Sequence, residues 1–141
     1  MPAANQPPMV SPHSARSAKV EAVFRLLLGA LLAFASLNFW FHFAPEPEMP
    51  APAQAFFGAL AQTGYFLPLL KATELMVAIA VLSNRFLPLA LVVLAPITVN
   101  IVLFHVVLAP GEIPGALVLL ALHLALAWSR RASFAELLKS R

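Results

Sequence analysis

The chain has 141 residues, of which 61% are hydrophobic and 11% are charged, and its net charge is +3. Soluble domains are about a quarter charged, so this composition excludes an ordinary soluble domain and indicates a membrane protein. The basic residues stand at the ends of apolar segments, which favours membrane orientation over nucleic-acid binding. The sequence has no cysteine, which excludes disulfides, thiolate nucleophiles, Fe–S clusters and c-type haem.

The first part of the chain, residues 1–22, is rich in proline, alanine and serine and shows no hydrophobic periodicity. We expect it to be a flexible cytoplasmic tail. Four apolar segments follow, each close to the roughly 20 residues that cross a bilayer core as a helix. The predicted spans are 23–44, 65–83, 86–109 and 113–129. The sequence therefore predicts an all-α membrane domain over residues 23–129, with four transmembrane helices in an antiparallel bundle.

Two shorter helices are expected outside these spans. The segment 53–64 is apolar, ends at Gly64 and is too short to cross a bilayer. We expect a short outer interfacial helix there, with Phe56, Phe57 and Leu60 on its buried face. The basic C-terminus, residues 130–141, is expected to lie in the cytoplasm and to include a short amphipathic helix.

Orientation follows from the basic residues. Apart from Lys71, they lie in the N-terminal tail and the start of the first span, in the turn between the second and third spans, and in the C-terminus. The loops 45–64 and 110–112 contain none. The positive-inside rule predicts that both termini are cytoplasmic. We expect a multi-pass protein of a bacterial-type plasma membrane.

Few polar side chains lie within the predicted spans, and at about 1.5 Å per residue they fall in the outer half or near the midplane. Ionisable groups at such depths are costly and usually face a partner or a cavity. We therefore predict one polar pocket in the outer half of the bilayer. The candidate ligand-binding or proton-handling residues are Glu74, Asn38, His42, Asn100, His105, His123 and Lys71.

Each candidate also has a purely structural interpretation. Lys71 and Glu74 share a helix face at i,i+3 and could simply pair, or Lys71 could extend toward the interface. We expect Glu74 to face inward and to bond Asn100 or a histidine of another helix. Asn100 and His105 lie about 140° apart around an ideal helix, so one of them could face a neighbour unless Pro96 kinks the helix.

The histidines also have interpretations other than ligand binding or proton handling. His42 and His105 are shallow enough to bond at the interface, and His123 could bond another helix. His42 and His105 could be axial ligands of a b-type haem, or zinc ligands with Glu74. No spacing identifies haem and the depths do not match for zinc, so we expect neither.

Four stretches of the sequence are similar to the DoxX-like family of small four-helix integral membrane proteins. They are NFWFHF (38–43), FFGALAQTGYFLPLLKATELM (56–76), APITVNIVLFH (95–105) and ALHLALAW (121–128). The resemblance implies a membrane subunit tied to redox processes, since related proteins are components of a thiosulfate:quinone oxidoreductase and others associate with oxidative-stress enzymes. It assigns no catalytic residue. The matching positions are Asn38, His42, Gly64, Glu74, Asn100 and His105.

Three functional hypotheses remain open, and whether the protein is an enzyme stays open with them. The first is a redox-associated protein that binds a quinone or a similar apolar or lipid ligand, with Glu74 and a histidine handling protons. The second is a non-catalytic subunit that scaffolds a redox partner. The third is a small proton-coupled transporter, which would have to form a homo-oligomer. Gly29 and Ala33, at i,i+4, could support that self-association.

Overall fold

The computed structural model describes residues 12–46 and 48–137, and side chains within 17–135 of these ranges. Every regular element there is helical, which confirms the predicted all-α class. The elements are α1 Pro12–Phe41, α2 Ala51–Gln62, α3 Phe66–Leu82, α4 Leu87–Val107, a 3-10 turn Pro110–Glu112, α5 Ile113–Ser129 and α6 Arg131–Leu137.

Three of the helical segments are long and apolar enough to cross a membrane: Ser17–Phe41, Leu87–Val107 and Pro110–Ser129. Helices α2 and α3 qualify only as a pair, and they meet at an angle of 95°. Helix α3 alone has 17 residues, about 25 Å of helix against a hydrocarbon core of about 30 Å. The described chain thus holds three or up to four candidate spans, which is compatible with an integral multi-pass membrane protein.

Helix α1 includes residues 12–22, although the sequence predicted a flexible tail as far as residue 22. The alanines and charged residues of this segment have good helix propensity. Glu21 also accepts a hydrogen bond from Arg130 Nε at 3.0 Å, which ties this part of α1 to the end of α5. Residues 1–11 of the predicted tail lie outside the described ranges.

The long helices pack around one aliphatic core. Helix α1 contacts α3 and α5, and α4 contacts the same two helices. The core residues concentrate in the half of the molecule next to the α3–α4 turn. They are Leu28, Leu32, Val77, Ala78, Val81, Leu87, Ala90, Leu91, Leu94, Leu119 and Leu126.

The small residues of α1 serve this internal packing. A Cβ placed on Gly29 would lie 2.5 Å from Cγ of Leu82 on α3, so glycine permits the close approach of the two helices. Ala33 packs against the same core. The sequence suggested Gly29 and Ala33 as a self-association surface, but Gly29 is buried within its own chain and does not provide one.

Candidate functional site

The other half of the molecule, away from the α3–α4 turn, contains a cavity of about 630 Å³. Its wall includes residues of α1 to α5 and of the 3-10 turn, and it is mostly apolar. Four phenylalanines contribute to it: Phe56, Phe57, Phe66 and Phe104. The polar side chains on the wall are Lys71, Glu74, Asn100, His105 and Glu112.

Glu74 is the most deeply buried of these polar side chains, with 2% of its surface exposed. Its Oε2 lies 2.8 Å from Lys71 Nζ and accepts a longer hydrogen bond from Ser36 Oγ of α1, at 3.4 Å. We expected Glu74 to bond Asn100 or a histidine, and this was wrong. Lysine lies on the same helix face and its flexible stem brings the ammonium group to the carboxylate.

Like Glu112 of the cavity wall, Ser36 is a residue that the sequence interpretation missed. It is completely buried and it links α1 to the Lys71–Glu74 pair on α3. A hydroxyl within an apolar span was the available signal. Its small size made it less conspicuous than the amides and ionisable groups nearby.

His105 and Glu112 form the second polar part of the wall. His105 Nδ1 lies 2.7 Å from the carbonyl oxygen of Ile101. A carbonyl oxygen only accepts, so Nδ1 carries the proton of this hydrogen bond. Nε2 is then the nitrogen that can gain or lose a proton, and it lies 3.9 Å from Glu112 Oε2.

Asn100 and His105 both reach the cavity despite their angular separation. The cavity-facing stripe of α4 includes Pro96, Asn100, Phe104 and His105, and on an ideal helix Asn100 and His105 fall toward its opposite edges. The Asn100 side chain makes no hydrogen bond to the described part of the chain. Its amide is therefore free to donate to or accept from a molecule in the cavity.

Three predicted site residues are not on the cavity wall. Asn38 donates from Nδ2 to the Ala44 carbonyl oxygen at 3.2 Å and accepts from Ala44 N–H at 2.7 Å, so it closes the end of α1. His42 is exposed and has a positive φ of 50°, which ends the helix. The backbone groups that follow the end of α1 bind the Asn38 amide, as unpaired groups at helix ends often do with nearby side chains.

His123 is the third, and it is buried between two helices. Its Nδ1 lies 2.8 Å from Thr98 Oγ1, which connects α5 to α4. This geometry corresponds to the structural alternative that the sequence left open for His123.

The residues considered as alternative haem or zinc ligands are not brought together at the cavity. His105 lines it, but His42 does not. Among the described residues, no group of three or more potential ligands of the His, Cys, Asp and Glu types lies close enough to hold a metal ion.

Helix α2 covers the cavity at the C-terminal end of α4. The ring centroids of Phe56 and Phe57 lie 5.9 Å and 5.1 Å from that of Phe104. The residues predicted to be buried on α2, Phe56, Phe57 and Leu60, all contribute to the wall. Their burial was predicted wrongly: Phe56 is exposed, Phe57 and Leu60 are half-buried, and the buried residue of α2 is Ala53. Aromatic contacts to Phe104 hold one side of α2 against α4.

Comparison with protein-family models, with curated proteins and with solved structures finds no match to this chain. The resemblance to the DoxX-like family therefore depends on the quoted sequence stretches alone.

Proposed function

We propose that α1, α3, α4 and α5 cross a bacterial-type plasma membrane as an antiparallel four-helix bundle, with α2 at the outer interface and both termini in the cytoplasm. Two observations support this. Each of α1 and α4 packs against both α3 and α5. The basic residues Arg85, Arg130 and Arg131 gather at the ends of helices on the side opposite α2, as the positive-inside rule requires.

We further propose that the cavity binds a quinone or a similar apolar ligand with a small polar group. The observation that carries this proposal is the cavity itself: about 630 Å³, within the roughly 300–1,000 Å³ of small-molecule sites. Its wall joins four phenylalanines to a few convergent polar groups. In the proposed orientation it lies in the outer half of the bilayer, where an apolar ligand can enter from lipid.

The polar groups of the wall suit the carbonyl or hydroxyl groups of such a ligand. The amide of Asn100 can donate to a carbonyl oxygen, and Lys71 has further N–H donors besides the one directed at Glu74. His105 Nε2 can accept a proton or donate one. Asn38, another candidate from the sequence, is not among these groups because it bonds the backbone of Ala44.

A redox-associated role is supported by the resemblance to the DoxX-like family. In this proposal the protein holds the quinone, and Glu74 and His105 handle the protons that accompany quinone chemistry. Ser36 and Lys71 keep the Glu74 carboxylate oriented at the cavity wall.

Mass spectrometry of small molecules extracted from the purified protein tests the proposal. We expect the wild type to retain a quinone or a comparable apolar molecule, and Asn100→Leu to lose most of it. Thr73→Val is the matched control, because Thr73 bonds only the Leu69 carbonyl oxygen of its own helix, at 2.9 Å. A wild-type protein that retains no such molecule and always co-purifies with one polypeptide would instead support the scaffold hypothesis.

A further inference from the structure

The acidic groups on the cavity wall do not all have a close basic partner. Lys71 and Glu74 compensate each other through their 2.8 Å ion pair. Glu112 has no comparable partner among the described residues, since the nearest basic atom is His105 Nε2 at 3.9 Å. The Glu112 carboxylate is therefore the acidic group of the described wall that has no close basic partner.

An aromatic cluster lies on the same wall. Phe104 precedes His105 on α4, and their rings are 5.2 Å apart. Phe56 and Phe57 of α2 pack against Phe104. The faces of aromatic rings are electron-rich and attract cations within about 6 Å. A carboxylate and several such rings on the wall of one cavity favour a positive charge attached to an apolar body.

We propose that this cavity accepts lipophilic organic cations, such as protonated amines or quaternary onium ions, in preference to anions of the same shape. The inference rests on the proposed function because it concerns the same cavity, and it adds a cationic ligand class to the neutral quinones. Glu112 attracts the charge, and the Phe56–Phe57–Phe104 cluster contacts it.

The position of Glu112 agrees with this assignment. Its side chain is 43% exposed, so the carboxylate is accessible while it contributes to the wall. A cation that enters from the outer face meets Glu112 before it reaches the Lys71–Glu74 pair. An anion meets the same carboxylate and is repelled.

The test compares tetraphenylphosphonium with tetraphenylborate, which have nearly the same shape and opposite charges. Binding to the full chain in nanodiscs is measured at pH 8 by equilibrium dialysis, and partition into empty nanodiscs is subtracted. We expect saturable binding of tetraphenylphosphonium and at least about tenfold weaker binding of tetraphenylborate. Glu112→Gln should weaken phosphonium binding about tenfold, and the matched control Glu46→Gln, an exposed carboxylate away from the wall, should not.

A second variant examines the aromatic contribution. Phe57→Leu keeps an apolar side chain but removes a ring, so phosphonium affinity should fall about threefold. Equal binding of the two ions, or no effect of Glu112→Gln, overturns the charge preference and leaves a quinone site intact. If neither ion nor a short-chain quinone binds, the proposed function fails together with this inference.

Discussion

Lys71 Nζ lies 2.8 Å from Glu74 Oε2, one turn away on the same helix, at the wall of an apolar cavity. The carboxylate is buried, while the lysine side chain is 20% exposed. An isolated charge at this depth is costly, and pairing at i,i+3 reduces that cost for both groups. The pair therefore explains how a strongly apolar helix carries two charges three residues apart.

Removal of the lysine should harm the protein more than neutralisation of the glutamate. Lys71→Met leaves a buried carboxylate without its cation, which costs about 3 kcal/mol, the low end for a broken buried pair because Lys71 is partly exposed. Glu74→Gln keeps the shape and the contact with Ser36, so it should fold normally but lose bound ligand or proton-linked activity. Thermal unfolding in detergent, together with ligand retention, measures both effects. A Glu74→Gln variant identical to wild type in every assay would exclude Glu74 from the site.

The membrane topology can be read from reporter fusions. A four-span arrangement places residue 55 outside and residue 85 inside, because α3 then crosses the bilayer between them. If α2 and α3 form a re-entrant segment instead, both positions lie on the same side and the chain has three spans. That outcome would refute the proposed bundle orientation.

Gly29 is predicted to be intolerant of larger side chains. A Cβ there meets Leu82 at 2.5 Å, so Gly29→Val should separate α1 from α3 and cost about 1–3 kcal/mol through overpacking. Gly58 has no atom within 4 Å of the corresponding position, and Gly58→Val is the matched control. Comparison of their melting temperatures is the measurement. Equal melting temperatures would show that Leu82 moves aside without cost.

The Thr98–His123 hydrogen bond should affect stability but not ligand binding. Both residues are buried between α4 and α5 and neither lines the cavity. Interhelical hydrogen bonds in membrane proteins contribute about 0.6 kcal/mol on average and about 1.7 at most. A double-mutant cycle of Thr98→Val and His123→Leu should give a coupling energy in this range. A large loss of ligand in Thr98→Val would instead connect this pair to the site.

Several features followed from the sequence alone because they depend on local chemistry. Apolar segments of spanning length predicted the helical class, and the short apolar stretch 53–64 predicted a helix where α2 lies. Two charged residues in the apolar helix α3 indicated a polar region near Glu74. A charged side chain needs a polar partner or water wherever its helix packs. The spacing of Lys71 and Glu74 also allowed their pairing, although we favoured another partner for the glutamate.

Other features depended on the packing of distant segments. Asn38 and Asn100 are both amides in apolar spans, yet Asn38 bonds the backbone of Ala44 while Asn100 faces the cavity. Only the position at which each helix ends, and the neighbour it packs against, distinguishes the two. In the same way, Gly29 packs closely against Leu82 of the same chain. Glu112 lines the cavity because the 3-10 turn brings it beside His105. Residue type determined which side chains needed a partner, and the three-dimensional arrangement of the helices decided which partner each one found.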